Sequence, residues 1–125
     1  SDVYKRQPQY IAKDAVLSNS LITDGAKIEG TVINSIIGSS VVIKKGAVIK
    51  DSVIFANTVI GEDSIIEYSI IDENVVIGKG VHIGSPKADD VEIAVIGRDV
   101  TIDDGSIVKQ GANIEENVKN EGKEE

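Results

Sequence analysis

Few side chains in this chain can do chemistry. There is one histidine, His82, and no cysteine or methionine. Imidazole is the usual general base of acyl transfer, so His82 is the only candidate for that reaction. The repeat places no companion acid within reach of it, and the competing reading is a half-exposed corner histidine with no task. A zinc centre built from several histidines is excluded by the count of one. The pairs Asp89-Asp90, Asp103-Asp104 and Glu115-Glu116 offer carboxylates to a cation. Adjacent carboxylates at bends point in different directions, however, and read as a solvated face. Lys44-Lys45, Lys79, Arg98 and Lys109 are scattered outward cations, a weak anion site against ordinary solubility residues. No G-x-x-x-x-G-K-[ST] phosphate loop occurs. No catalytic, cofactor-binding or metal-binding residue is therefore assigned.

Something regular must position these groups, and it is a six-residue repeat. Taking an aliphatic residue as position one, complete sixes start at Ile11, Ile22, Ile37, Ile43, Ile54, Ile60, Ile71, Ile77, Ile96, Ile102, Val108 and Ile114. Their fourth residues are Asp14, Gly25, Ser40, Gly46, Asn57, Asp63, Asn74, Gly80, Asp99, Gly105, Gly111 and Asn117. These are types that suit a left-handed corner: glycine has no Cβ to clash, and short Asn or Asp side chains bond their own backbone. The fifth residue is small or β-branched. One inward aliphatic, one corner and one small inward residue make a short strand and a bend.

Five-residue units interrupt the sixes at Leu17, Val32, Ile49 and Ile66, each with serine fourth: Ser20, Ser35, Ser52 and Ser69. From Val32 to His82 the chain reads as three 17-residue coils of five, six and six. Such a period marks a solenoid in which each coil buries its apolar edge against its neighbours. Three sides per coil predict an all-β fold, a hexapeptide-repeat triangular prism of parallel strands. The register predicts three interior stacks: Leu17, Val32, Ile49, Ile66 and Ile83; Ile22, Ile37, Ile54, Ile71 and Ile96; and Ile28, Ile43, Ile60, Ile77 and Ile102.

Two places break the pattern. The coil from Leu17 to Thr31 is two residues short, and Gly30 is expected to permit the tighter corner. Ile83 and Ile96 are separated by eight residues more than a five-residue unit needs, so a loop insertion is expected over residues 84–95. It is either a solvated excursion or a cover for a neighbouring domain or subunit. Residues 1–9 read as a linker or remnant, 10–118 as the solenoid, and 119–125 as a charged, disordered tail that blunts its open end. The lack of methionine, even at position 1, suggests a chain cut from a larger protein.

Val and Ile supply nearly all of the predicted core, and aromatic residues make up 3%. A narrow prism interior has no room for rings. A net charge of −8 argues against a nucleic-acid or anionic-membrane surface. No apolar run is long enough to span a bilayer. The absence of cysteine fits a reducing compartment, and a cytoplasmic location is expected. Phe55, the only phenylalanine, is outward and is expected at an interdomain or subunit contact with Val42 and Val59.

The stretches Pro8-Gln9-Tyr10-Ile11-Ala12, Asn19-Ser20-Leu21-Ile22, Glu29-Gly30-Thr31-Val32-Ile33-Asn34-Ser35 and Lys45-Gly46-Ala47-Val48-Ile49-Lys50-Asp51-Ser52-Val53-Ile54 together resemble the C-terminal domain of bacterial glucose-1-phosphate adenylyltransferase. Thr58-Val59-Ile60-Gly61, Val76-Ile77-Gly78, the insertion and Val95-Ile96-Gly97 continue the likeness. The resemblance implies a left-handed parallel β-helix. It further implies a parent enzyme that joins ATP to glucose 1-phosphate, giving ADP-glucose and pyrophosphate for glycogen synthesis, with Mg²⁺ and ATP held in an N-terminal nucleotidyltransferase domain. This chain would then be inert alone and serve in domain packing, homo- or hetero-oligomer contacts and allosteric response, in a catalytic or a regulatory-type subunit. Mannose-1-phosphate guanylyltransferases carry similar domains, and hexapeptide-repeat acyltransferases share the repeat.

Overall fold

The corners determine everything else about the shape. In the computed structural model, which describes residues 8–120, ten of the twelve fourth places take positive φ: Gly25, Ser40, Gly46, Asn57, Asp63, Asn74, Gly80, Asp99, Gly105 and Gly111. Asp14 and Asn117 do not. The five-residue units turn one place earlier, at Asn19, Asn34, Asp51 and Tyr68, with φ between 48° and 53°. Between corners lie strands of two or three residues, long enough for one inward aliphatic each. No helix occurs among the described residues.

The strands stack into three parallel six-stranded sheets, the walls of a three-sided parallel β-helix. In the first wall the inward column runs Ile11, Ile28, Ile43, Ile60, Ile77 and Ile102. The second runs Leu17, Val32, Ile49, Ile66, Ile83 and Val108. The third runs Ile22, Ile37, Ile54, Ile71, Ile96 and Ile114. All three predicted stacks are present in register. From Ile28 to Ile102 the twelve inward isoleucines are fully buried and form one core. Ile11 and Leu17 are in the same columns but partly exposed, because no described coil lies beneath them.

The serines of the five-residue units are inward and bind the coils vertically. The Ser35, Ser52 and Ser69 amides donate to the hydroxyls of Ser20, Ser35 and Ser52, each at 3.0 Å. Each hydroxyl from Ser20 to Ser69 donates in turn to the carbonyl two residues before it, at 2.8 Å. Each of these amides thus has an acceptor on the coil below, and each hydroxyl an acceptor on its own coil. Ala94 takes the next place, opposite Ser69, and ends the run.

Gly30 serves a purpose other than the expected one. Its φ is not positive; instead a Cβ there would lie 2.4 Å from the Ala47 carbonyl oxygen and 3.0 Å from that of Lys44. The backbone of the next coil lies where a side chain would have to go. The insertion leaves the wall after Ile83 and rejoins it at Ala94, two residues sooner than the spacing suggested. It is tied down at Glu92: the Gly111 amide donates to the Glu92 carbonyl at 3.0 Å, and the Glu92 amide donates to Gln110 Oε1 at 2.8 Å. After the last full coil, Val118 bridges to Ile102, and Asn120 bonds Asp103 and Asp104. Residues 1–7 of the linker expected over 1–9, and residues 121–125 of the tail expected over 119–125, lie outside the described residues.

Candidate functional site

His82 stands on the outer face of the second wall, one coil above Ile65. Its Nε2 lies 2.9 Å from Glu67 Oε1. The sequence reading of a histidine without a companion acid is therefore corrected. Glu67 is the next outward residue after Ile65, and the 17-residue register brings it under the ring. An ionised carboxylate only accepts, so this bond puts the ring proton on Nε2 and leaves Nδ1 as the basic nitrogen. The Glu67 side chain is 12% exposed and that of His82 46%. A carboxylate-held imidazole at the edge of an open groove of about 400 Å³, shared with Ser85, Lys109 and Gln110, can take a proton from a bound alcohol or amine.

The remaining charged candidates do not converge. Asp104 Oδ1 accepts the Lys79 amide at 2.8 Å, whereas Asp103 Oδ2 accepts the Asn120 amide at 3.3 Å. Adjacent carboxylates thus turn to different coils, as expected at a bend. Glu115, Glu116, Asp89 and Asp90 are exposed. Among the described residues no three acid, histidine or cysteine side chains gather closely enough to hold a metal ion. Lys44, Lys45 and Lys79 share the corner between the first and second walls, where Lys44 and Lys79 border one groove with Glu62 and Asp104, while Arg98 and Lys109 stand at the other two corners.

A second feature was not anticipated. At the corner between the second and third walls, Asn19 Nδ2 donates to Asn34 Oδ1 at 2.7 Å, and Asn34 Nδ2 donates to Asp51 Oδ1 at 2.6 Å. Left-handed corners stacked every coil hold these side chains in line. The next corner residue is Tyr68, whose ring lies 5.9 Å from the Lys87 ammonium. Lys87 belongs to the insertion, which borders a groove of about 460 Å³ along this ladder and the outward aliphatics Leu21, Ile36 and Val53.

The outer face of the third wall is the least charged of the three. The outward residues before its inward column are Leu21, Ile36, Val53, Ile70 and Val95. Phe55 is outward on the same wall, one place after Ile54, with 44% of its surface exposed. Val42 and Val59 are on the first wall, beyond the Asn57 corner, so they are not neighbours of Phe55 as the sequence suggested.

Comparison with known proteins agrees with this geometry. A family model described as the GMPPB C-terminal domain matches residues 11–117. The chain is 37% identical over 109 residues to a glucose-1-phosphate adenylyltransferase from Bacillus thuringiensis (strain Al Hakam), covering 87% of this chain and 22% of that protein. The enzyme of the same name from Lachnospira eligens is 58% identical over 38 residues, 30% of this chain and 9% of that one. The chain thus spans under a quarter of the length of these relatives. A mutant GDP-perosamine N-acetyl transferase from Caulobacter crescentus, solved with CoA and GDP-perosamine, superposes with a TM-score of 0.59 at 18% identity. That match covers 87% of this chain and 51% of the other, and at this identity it speaks for the shared fold alone. A matched family model over nearly the whole solenoid, with bacterial adenylyltransferase relatives across the same coils, makes this chain a member of the GMPPB C-terminal domain family.

Proposed function

We propose that this chain is the C-terminal structural and oligomerisation domain of a glucose-1-phosphate adenylyltransferase, working in the cytoplasm beside an N-terminal nucleotidyltransferase domain. The observation that carries the reading is the likeness to the Bacillus enzyme over 87% of the chain. The use of the buried polar groups supports it. The buried serines are engaged in holding coil to coil. Binding of ATP, Mg²⁺ and glucose 1-phosphate, and the transfer itself, belong to the other domain. The β-helix contributes a rigid wall to pack against and part of the response to effectors. Replacing the matching C-terminal segment of the Bacillus enzyme with this chain tests the idea. Retained formation of ADP-glucose with a changed effector response is expected, and a folded but inactive chimera would count against it. Pyrophosphate release by the isolated chain would contradict the division of labour outright.

The Glu67–His82 pair favours a second reading, a hexapeptide-repeat acyltransferase in which His82 Nδ1 accepts the proton of an attacking acceptor. Acetyl transfer from acetyl-CoA that disappears in His82→Ala and weakens in Glu67→Gln would promote it over the first.

A further inference from the structure

We propose that the groove along the corner between the second and third walls binds a neutral oligosaccharide, with Asn19, Asn34 and Asp51 as its polar floor and Tyr68 and Lys87 closing one end. The site lies beyond the adenylyltransferase reading and needs no part of it. The corner holds an outlier. Asn19, Asn34 and Asp51, with φ between 49° and 53°, are types that tolerate a left-handed turn. Tyr68 takes the fourth place at φ 48°, where a bulky side chain is strained and asparagine would not be. The turn itself asks for no ring. The Tyr68 amide donates to the Lys50 carbonyl at 3.0 Å, as the Asn34 and Asp51 amides donate to Ser18 and Ile33 on the coils below them. Residues held against their backbone preference concentrate where a ligand is clamped.

The floor has hydrogen-bonding capacity to spare. Asp51 only accepts, so its bond from Asn34 fixes which end of that amide faces it, and the Asn34 oxygen then fixes Asn19 in turn. Each asparagine spends one hydrogen on the ladder. One hydrogen on each amide nitrogen, the Asn19 oxygen and the second Asp51 oxygen remain. These donors and acceptors recur at the strand spacing of about 4.8 Å. A mixed row of this kind suits hydroxyl groups, each of which both donates and accepts. Charge agrees. In a chain of net −8 the groove is bordered by one carboxylate, Asp51, and one ammonium, Lys87, a balance that favours neither an anion nor a cation. Its other side is aliphatic, with Ile36 and Val53, and offers a surface to C–H groups. Hydroxyl edges, apolar faces and no net charge describe a sugar ring. The far end is closed by the insertion: the place 17 residues after Tyr68 is Ser85, so the chain leaves the wall where the next corner would stand. Lys87 then comes back to within 5.9 Å of the Tyr68 ring centroid. The enclosed volume of about 460 Å³ is that of a small-ligand site.

Nuclear magnetic resonance titration of the isotope-labelled chain with maltotriose, a bent neutral trisaccharide, and with cellotriose, a straight one, tests the site. The side-chain amide signals of Asn19 and Asn34 should shift saturably with at least one of them, at a Kd on the order of 1 mM, as expected of an open groove with a handful of hydrogen bonds. Tyr68→Asn removes the ring and relaxes the corner, and should weaken binding at least about 10-fold. Asp51→Asn keeps the corner and the bond from Asn34, and should weaken binding at least about 5-fold through loss of the charged acceptor. Circular dichroism of both variants should match that of the parent chain, so that lost binding is not lost fold. Amide signals that stay fixed with both sugars up to about 20 mM, well above the expected Kd, would overturn the proposal and leave the ladder to coil stacking alone. Binding indifferent to both substitutions would put the sugar elsewhere and overturn it as well. Shifts with inorganic phosphate that vanish in Lys87→Ala, with none from either sugar, would make the groove an anion site instead. No readout involves formation of ADP-glucose, so this site and the adenylyltransferase reading can fail separately.

Discussion

Ser64 and Ser106 hold the same fifth place in their hexads and meet different surroundings. Ser64 is between coils, donating to the Gly78 carbonyl at 2.7 Å and accepting the Val81 amide at 3.0 Å. Ser106 is buried with no partner for its hydroxyl among the described residues. Ser64→Ala strips partners from a buried donor and an acceptor and should cost about 1–3 kcal/mol. Ser106→Ala should change stability by less than about 0.5 kcal/mol. Urea unfolding of the two variants compares them directly, and equal losses would mean that the vertical hydroxyl bonds do not matter. Tyr68 makes a different test. Its φ of 48° costs a bulky residue about 1–2 kcal/mol, and the Lys87 contact returns only part of that. Tyr68→Asn should therefore stabilise the chain by about 0.5–1 kcal/mol, and a lower denaturation midpoint would refute the account. Glu67 shows how a site residue escapes a sequence reading. Its distance from His82 is 15 residues along the chain, and contact emerges only when the 17-residue register and the outward alternation are applied together.

At the scale of the coil, the three interior stacks were legible because one inward aliphatic per side repeats without exception over the buried coils. Corners were legible as residue types in the hexads, less so in the five-residue units, where the turn falls at the third place and the conspicuous serine after it is inward. The company of Phe55 was misread because a corner, Asn57, stands between it and Val59; outward positions separated by a corner face different directions. Gly30 was singled out correctly for a reason that only the neighbouring backbone could show. The insertion was legible as an interruption, and its independence from the prism can be tested. Removing residues 85–92 together with Ile93→Asn places Ile83 five positions before Ile96, with asparagine at the corner as in the coils that begin at Leu17 and Val32. Short closures are cheap, so the shortened chain should keep its circular dichroism and stay within about 1 kcal/mol of the parent. Collapse of the fold on this deletion would make the excursion a structural element.

The whole molecule is stabilised by a core one residue deep. Ile60 is fully buried midway along the first column, with isoleucines above and below and none to slide sideways into a gap. Ile60→Ala should cost about 2–5 kcal/mol, against less than about 0.5 kcal/mol for Ile107→Ala, whose side chain is 76% exposed. Thermal or denaturant unfolding gives both numbers, and a mild Ile60→Ala would mean the columns share load more loosely than their contacts indicate. The register itself has another consequence. Because Ile49, Ile66 and Ile83 follow one another at a constant 17 residues, excising Ile66 to His82 would set Ile49 beneath Ile83, Ile54 beneath Ile96 and Ile60 beneath Ile102 with every column still in phase. The prism would lose about 4.8 Å and nothing of its cross-section. Length is thus counted in whole coils, and whatever is attached at the two ends is held apart by a ruler graduated in strand spacings.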